Sequence, residues 1–412
     1  MRSVPGCCLI ALWAALFALL SVPSQAASDT PHPTVILISL DGFRADYITR
    51  GKTPTLEALA ADGVRAERMI PVFPSVTMPN HQSIVTGVYP DKHGVVNNDI
   101  EDPAIGKFAE TRTDPRWYAA AKPIWLTAEA AGLKTQSMLW PSTEEKVSGY
   151  TPDHWAVFDE KLAGSDRVKQ VLTWLDQPAA DRPDLVMLYF DNPDEAGHKF
   201  GPDSDQLNDA ITLVDGWVKE LTDGLAARHL SPDLIIVADH GMAPVGQTNL
   251  VVIDDLVDLQ GGHLVAAGAV GAIELPKGPA RAAVEKALIS SHPHVTCWPK
   301  AKIPAHLHYG KNPRVPDVVC LGEVGWNVVD KAKGALFQKM MAAPHLYGNH
   351  GYDPADPTMG ALFIGNGPDF KKGLVVPPFP NLDIYPMMTH LLGLKGEKGD
   401  GNFNDVKAIL TR

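Results

Sequence analysis

The sequence predicts an α/β fold, with a mostly parallel central sheet, helices on both faces and an inserted subdomain. Three observations predict it. Short apolar runs rich in β-branched residues recur at 34–40, 185–190 and 234–238. They are continuous rather than alternating, as in strands buried on both faces. Helical stretches follow the first two, giving repeated strand–turn–helix units. Between about 245 and 345 this rhythm breaks into short strands, a helix near 281–290, and many prolines and histidines, which reads as an insertion.

Residues 1–26 read as a signal peptide. Arg2 supplies the positive start, 9–20 the apolar run, and Ser24-Gln25-Ala26 the small residues for cleavage. The apolar run is shorter than the roughly 20 residues a spanning helix needs. An exported protein, periplasmic or secreted and without a stable membrane anchor, is expected. Residues 27–412 suffice for one large catalytic domain carrying the insertion. The net charge of −12 argues against a nucleic-acid coat or an anionic membrane as the main partner. It leaves a phosphate-bearing small molecule open, because bound metal inverts local charge. Beyond the leader only Cys297 and Cys320 remain. In an oxidising compartment they could pair, for about 3 kcal/mol. Two separate buried thiols are the alternative that spacing leaves open, and the expected export favours the disulfide.

In chain order, strand 34–40 ends at Asp41-Gly42-Phe43-Arg44, and Thr53-Pro54 opens a helix that closes at Gly63. Thr77 precedes Met78-Pro79 and a helical run to Gly87, so it reads as an N-cap whose hydroxyl lies at the positive helix end. Residues 100–125, with Trp117, Tyr118 and Trp125, read as a lid or wall near the site. Strand 185–190 leads into Asp191 to His198, and 207–225 is a long amphipathic helix. Strand 234–238 ends at Asp239-His240-Gly241-Met242. A strand at 359–364 and a helix at 382–392 close the chain.

Ligands of open α/β sheets bind beyond the carboxyl ends of the strands. Asp41, Asp194, His198, Asp239, His240 and His350 lie at such ends or on nearby loops. Carboxylate with imidazole suits zinc or another borderline divalent ion. Asp194 and His198, four apart, would meet one ion from a single helical turn. Each also has an ordinary reading: Asp41 or Asp194 as a helix cap, Asp239-His240 as a polar turn, His350 as an exposed loop residue. Their joint occurrence with Thr77 favours a site. His81 and His93 read as structural supports of the Thr77 segment.

Taken together, Asp41-Gly42-Phe43-Arg44, Thr77-Met78-Pro79-Asn80-His81, Val85-Thr86-Gly87 and Tyr89-Pro90-Asp91-Lys92-His93-Gly94 carry a resemblance. Pro193-Asp194 to His198, Asp239-His240-Gly241-Met242 and His350-Gly351-Tyr352-Asp353 extend it. In order, the chain resembles an exported, bacterial-type member of the nucleotide pyrophosphatase/phosphodiesterase family of the alkaline phosphatase superfamily. The resemblance implies an alkaline-phosphatase-like fold and two zinc ions per chain. One would be held by Asp194, His198 and His350. The other would be held by Asp41, Asp239, His240 and the oxygen of Thr77, the implied nucleophile. Asn98 and the Met78 N–H would bind a phosphate oxygen, and a phospho-threonine would form and then be hydrolysed.

The Thr77 segment lacks the Cys/Ser-x-Pro-x-Arg context of a sulfatase. It also lacks the extra cations that a phosphomonoester asks for, so a diester fits better. The position after the nucleophile, usually aromatic in this family, is Met78. With Phe158 opposite, it would form a thioether–aromatic slot for a base. Core packing is the plain alternative for both. Nucleotide phosphodiester or pyrophosphate hydrolysis is the expected activity. Lipid or glycerol phosphodiesters and phosphonates are the alternatives, and a non-catalytic zinc-binding module is a remote one.

Overall fold

A computed structural model describes residues 33–143, 154–155, 161–340 and 346–412. Eight strands build the central sheet: β1 (Val35–Leu40), β2 (Val64–Ala66), β3 (Thr135–Met138), β4 (His154–Trp155), β5 (Leu185–Phe190), β6 (Asp233–Val237), β7 (Phe363–Asn366) and β8 (Leu374–Val376). They lie in the order β8-β2-β7-β6-β1-β5-β3-β4. All run parallel except β7, which is antiparallel to β6 and β2. β1 sits between β5 and β6, and every one of its residues is buried. Its apolar side chains each contribute about 1.5–3 kcal/mol of transfer free energy before chain entropy is subtracted.

Helices flank the sheet: α1 (Pro54–Asp62), α2 (Thr77–Thr86), α3 (Asn192–Phe200), α4 (Asp205–Ala227) and α5 (Ile384–Leu391). α4 starts where the Ser204 hydroxyl accepts the Leu207 N–H, and it buries Leu207, Ile211, Val214, Val218, Leu221 and Leu225 along one stripe. Thr53 makes no side-chain cap for α1. The buried Asp215 of α4 does so instead, accepting the Thr55 and Leu56 N–H groups at 3.1 and 2.8 Å.

A second, antiparallel sheet orders its strands His263–Ala266, Val270–Glu274, Val318–Gly322 and Val295–Pro299. It has its own small core with helix Arg281–Leu288, including Ile273, Val284, Leu288 and Val318. Cys297 and Cys320 stand directly opposite each other on adjacent strands and form a disulfide. Among the described residues, no helix is long and apolar enough to cross a membrane.

Two local expectations change. The strand expected at 359–364 runs Phe363–Asn366, because Asp356 caps a 3-10 turn at Pro357–Met359 and delays extension until past Gly360. Residues 100–125 do not present their aromatics as a wall. Trp117, Tyr118 and Trp125 are buried in the main core, with the Arg314 guanidinium 4.7 Å from the Trp117 ring. Burial of that much aromatic area outweighs the irregular local sequence.

Candidate active site

Because β1, β5 and β6 are adjacent and parallel, their carboxyl ends share one edge of the sheet. That edge collects Asp41, the β5–α3 turn and Asp239-His240. Gly42 makes the crowding feasible. Its φ of +65° is left-handed, and a Cβ there would lie 2.9 Å from Asp194 Cα and Oδ1. Its N–H donates to Asp239 Oδ1 at 3.2 Å, tying the turn after β1 to the end of β6.

Thr77 is the first residue of α2 rather than its cap. Val76 holds the cap position in extended conformation, without a side-chain bond. The Thr77 hydroxyl is therefore free of capping duty, and its Oγ1 lies 3.4 Å from His240 Nε2. Residues 79–86 of α2 are all buried, and only Thr77 and Met78 at its tip are partly exposed. The buried Asn80 locks the preceding loop, accepting the Val72 N–H at 2.7 Å and donating to the Val76 carbonyl at 2.8 Å. His81 spans from the Ser39 hydroxyl (2.8 Å) to the Thr77 carbonyl (2.9 Å), and His93 meets the Ser83 hydroxyl at 3.0 Å. Both act as struts within the α2 region.

The three remaining imidazoles share one arrangement. His198 Nδ1 lies 2.9 Å from the Gly348 carbonyl, His240 Nδ1 2.9 Å from the Gly241 carbonyl, and His350 Nδ1 2.9 Å from the Ser75 carbonyl. A carbonyl only accepts, so each Nδ1 carries a proton, and Nε2 is the nitrogen turned toward the acidic residues. Those nitrogens converge. His198 Nε2 and His350 Nε2 are 3.0 Å apart, and Asp194 oxygens lie 3.4 and 3.5 Å from them. His240 Nε2 is 3.0 Å from Asp239 Oδ2 and 3.6 Å from Asp41 Oδ1.

Among the described residues, metal-holding geometry appears in three overlapping groups: Asp194, His198 and His350; Asp41, Asp194 and His240; and Asp41, His81 and Asp239. His81 is the weakest member, since both of its ring nitrogens already have partners. The residues fit divalent ions on an independent observation. Asp41 Oδ1, Asp194 Oδ1 and Asp239 Oδ2 are buried with no hydrogen-bond partner among the described residues, an arrangement that costs free energy unless a cation completes it. The electrostatics agree. Burial, then the neighbouring Asp239 and Asp194 charges, push the Asp41 carboxyl well above its usual range. Burial would raise Asp239 too, but the His240 and His81 charges outweigh it and hold this carboxyl well below. Burial, with His240 and His198 nearby, drives His350 down and keeps it neutral. Burial would lower His240, but Asp239 in turn pushes it up, so in the absence of a cation the carboxylates draw positive charge onto the neighbouring imidazole, as a cation's donor set does.

At the tip of α2 the Met78 N–H donates to Asn98 Oδ1 at 2.9 Å. The preceding Asn97 is instead buried and takes the Asn98 N–H, so of these two adjacent asparagines Asn98 is the one that reaches the helix end. Met78 packs partly against the main core. Phe158 lies outside the described residues. Tyr189 is the group that the strand pattern alone did not single out. Its phenol donates to Asp41 Oδ2 at 2.6 Å from full burial. The available signal was a single hydroxyl near the end of the otherwise apolar run Leu-Val-Met-Leu-Tyr-Phe.

A model of the type I phosphodiesterase / nucleotide pyrophosphatase family matches residues 35–353, spanning every one of these site residues. This chain belongs to that family. It is a nucleotide pyrophosphatase/phosphodiesterase enzyme with the alkaline-phosphatase-like fold. An uncharacterised pyrophosphatase/phosphodiesterase of Schizosaccharomyces pombe is 36% identical over 409 residues, covering 95% of this chain and 83% of that protein. Human ectonucleotide pyrophosphatase/phosphodiesterase family member 5 is 31% identical, covering 96% and 82%. The murine member 5, solved as an inactive threonine-to-alanine variant in complex with AMP, superposes with a TM-score of 0.86. It is 31% identical, with 92% of this chain and all of that one covered.

Proposed function

We propose that this pyrophosphatase/phosphodiesterase hydrolyses nucleotide phosphodiester or pyrophosphate bonds and releases a nucleoside 5′-monophosphate, with Thr77 as the nucleophile. One observation carries the reading. The only partly exposed hydroxyl on α2 stands 3.4 Å from His240 Nε2, at the edge of a cluster of carboxylate oxygens unpartnered among the described residues. Two zinc ions would be held there, one by Asp194, His198 and His350, the other by Asp41, Asp239, His240 and Thr77. When bound, such ions neutralise phosphoryl oxygens and make a hydroxyl a competent nucleophile near neutral pH.

The chain's own groups do the rest. The rigid loop held by Asn80 fixes the direction from which Thr77 Oγ1 meets phosphorus. The Thr77 oxygen bonds to phosphorus as the bond to the leaving oxygen breaks, leaving a phospho-threonine that water then cleaves. Asn98 and the Met78 N–H, now bonded to each other, would open to take a non-bridging phosphate oxygen, aided by the positive end of α2. Recovery of a murine relative with AMP supports a nucleotide product. An inactive threonine-to-alanine form of that relative supports the nucleophile.

Residues 1–26 are proposed to be a cleaved leader, making the enzyme periplasmic or secreted. Residues 27–412 would form one catalytic domain with an insertion at about 245–345. Met78 favours a second reading, a choline or glycerol phosphodiester, because a half-buried thioether grips a base less firmly than an aromatic ring does. The deciding experiment compares a nucleotide phosphodiester, the matching monoester and a choline diester, with zinc and with chelator. Chelator-sensitive preference for the nucleotide diester is expected. Preference for the choline ester would overturn the substrate assignment, and metal-independent activity the site assignment.

A further inference from the structure

We infer that the chain carries a second anion site, for a multiply charged phosphate such as pyrophosphate, in an arginine-lined cleft apart from the cluster at the strand ends. The cleft has a volume of about 510 Å³, and Arg44, Arg65, Arg68, Thr49 and Thr358 contribute to its walls. In a chain of net charge −12, three guanidinium groups line this cleft against two carboxylates, Asp46 and Glu67, so its lining is positive on balance.

The three arginines are not equivalent. Arg44 is already committed: it is bonded to the Asp46 carboxylate, and its Nη1 donates to the Met242 carbonyl at 2.8 Å. Arg65 is the middle residue of β2, where Val64 and Ala66 are buried and Arg65 alone is partly exposed. Arg68 is anchored by its stem. The stem lies so close to Gly360 that a Cβ there would meet Arg68 Cδ at 2.9 Å, and its Nη1 reaches the Ala355 carbonyl at 3.4 Å. Among the described residues neither Arg65 nor Arg68 has a carboxylate within ion-pair distance, although Glu67 lies between them in sequence and also lines the cleft.

Two permanent charges, partly withdrawn from water and without an ion-pair partner among the described residues, are an unfavourable arrangement that an oxyanion relieves. The guanidinium fork matches phosphate oxygens in a bidentate manner. Two separate forks favour an anion with more than one charged oxygen set, which is why pyrophosphate fits better than a singly charged ion. The Thr49 and Thr358 hydroxyls at the same walls already donate to the Asp46 carbonyl and the Asp356 carboxylate, so the two guanidinium forks are left to carry the anion. None of these residues belongs to the strand-end cluster, so the inference does not depend on the reaction assigned above.

The test is isothermal titration of the metal-loaded protein with pyrophosphate, comparing wild type with the double variant R65Q/R68Q. Wild type is expected to show one class of site that the variant loses, with affinity there at least tenfold weaker. Turnover of a nucleotide diester in phosphate-free buffer should stay within twofold. R65K/R68K, which keeps the charges, should retain a measurable part of the affinity, and unchanged melting temperatures show that both variants fold. Equal stoichiometry and affinity in wild type and R65Q/R68Q would overturn the inference. Arginine-dependent binding in a protein that proves unable to hydrolyse nucleotides would sustain it while removing the proposed function.

Discussion

Replacing Tyr189 with Phe removes a single oxygen and tests whether the cluster is held by its surroundings as well as by its ligands. The phenol is fully buried, donates to Asp41 Oδ2 at 2.6 Å, and its ring meets His81 edge-on at 5.3 Å, a contact that Phe retains. A hydrogen bond to a carboxylate contributes about 1.5–3 kcal/mol. At about 1.4 kcal/mol per decade, that is roughly 10–100-fold in affinity for the ion beside Asp41, the range typical of losing an outer partner of a metal ligand. A direction in pH accompanies the magnitude. Burial and the Asp239 and Asp194 charges already raise the Asp41 carboxyl, while the Tyr189 bond lowers it. Without that bond the proton competes with metal up to a higher pH, so metal loss on acidification should begin earlier in the variant. Competition with a chelating dye at several pH values measures both effects, and a melting curve of the metal-free protein reports any change in folding. Affinity within twofold of wild type, with an unshifted pH midpoint, would refute the idea that Tyr189 orients Asp41.

Further outcomes follow from the same geometry. Thr77→Ala should lower turnover by roughly 10⁴-fold or more while leaving metal content nearly intact, because the hydroxyl is only one donor among several; near-normal rates would remove Thr77 from the mechanism. Asp239→Asn should bring metal content below two ions per chain by elemental analysis, since an amide cannot replace a charged oxygen aimed into the cluster. Burial lifts the Asp383 carboxyl to about 7. The unfolded chain therefore ionises first, and wild type loses stability as pH rises from about 4 through 7. Asp383→Asn should accordingly gain roughly 1–3 kcal/mol relative to wild type at pH 8.5 and nothing at pH 4, read by calorimetry at both pH values. Serines in place of Cys297 and Cys320 should cost about 3 kcal/mol in urea unfolding without changing kcat, because the disulfide lies in the second sheet.

The parts of this fold that were legible in the sequence are those where a single physical constraint acts on consecutive residues. β1, β5 and β6 are buried on both faces, so each had to be an uninterrupted apolar run, and their limits could be read to within a residue. β2 and β8 are three residues long, too short to carry a period. The direction of β7 was hidden because an apolar run has no polarity, and it pairs antiparallel to β6. The cap on α1 was invisible for a different reason, since its acceptor, Asp215, is 160 residues from Thr55.

The site divides in the same way. Carboxylates and imidazoles at strand ends are conspicuous residue types, so the candidate ligands could be named from the sequence. What makes the imidazoles ready to bind is not written in side chains. His198, His240 and His350 are each set with Nδ1 against a backbone carbonyl, at Gly348, Gly241 and Ser75. A carbonyl is present at every residue, so no letter marks the three that matter. The glycines nearby are the closest trace. A Cβ on Gly348 would sit 2.4 Å from the Gly197 carbonyl, and one on Gly241 would sit 2.2 Å from the Thr358 carbonyl. The sequence thus marks where backbone must approach backbone, and that approach in turn decides which nitrogen of each imidazole keeps its proton and which faces the ion. On this argument, Gly348→Ala should weaken metal binding through the orientation of His198 while leaving every ligand in place.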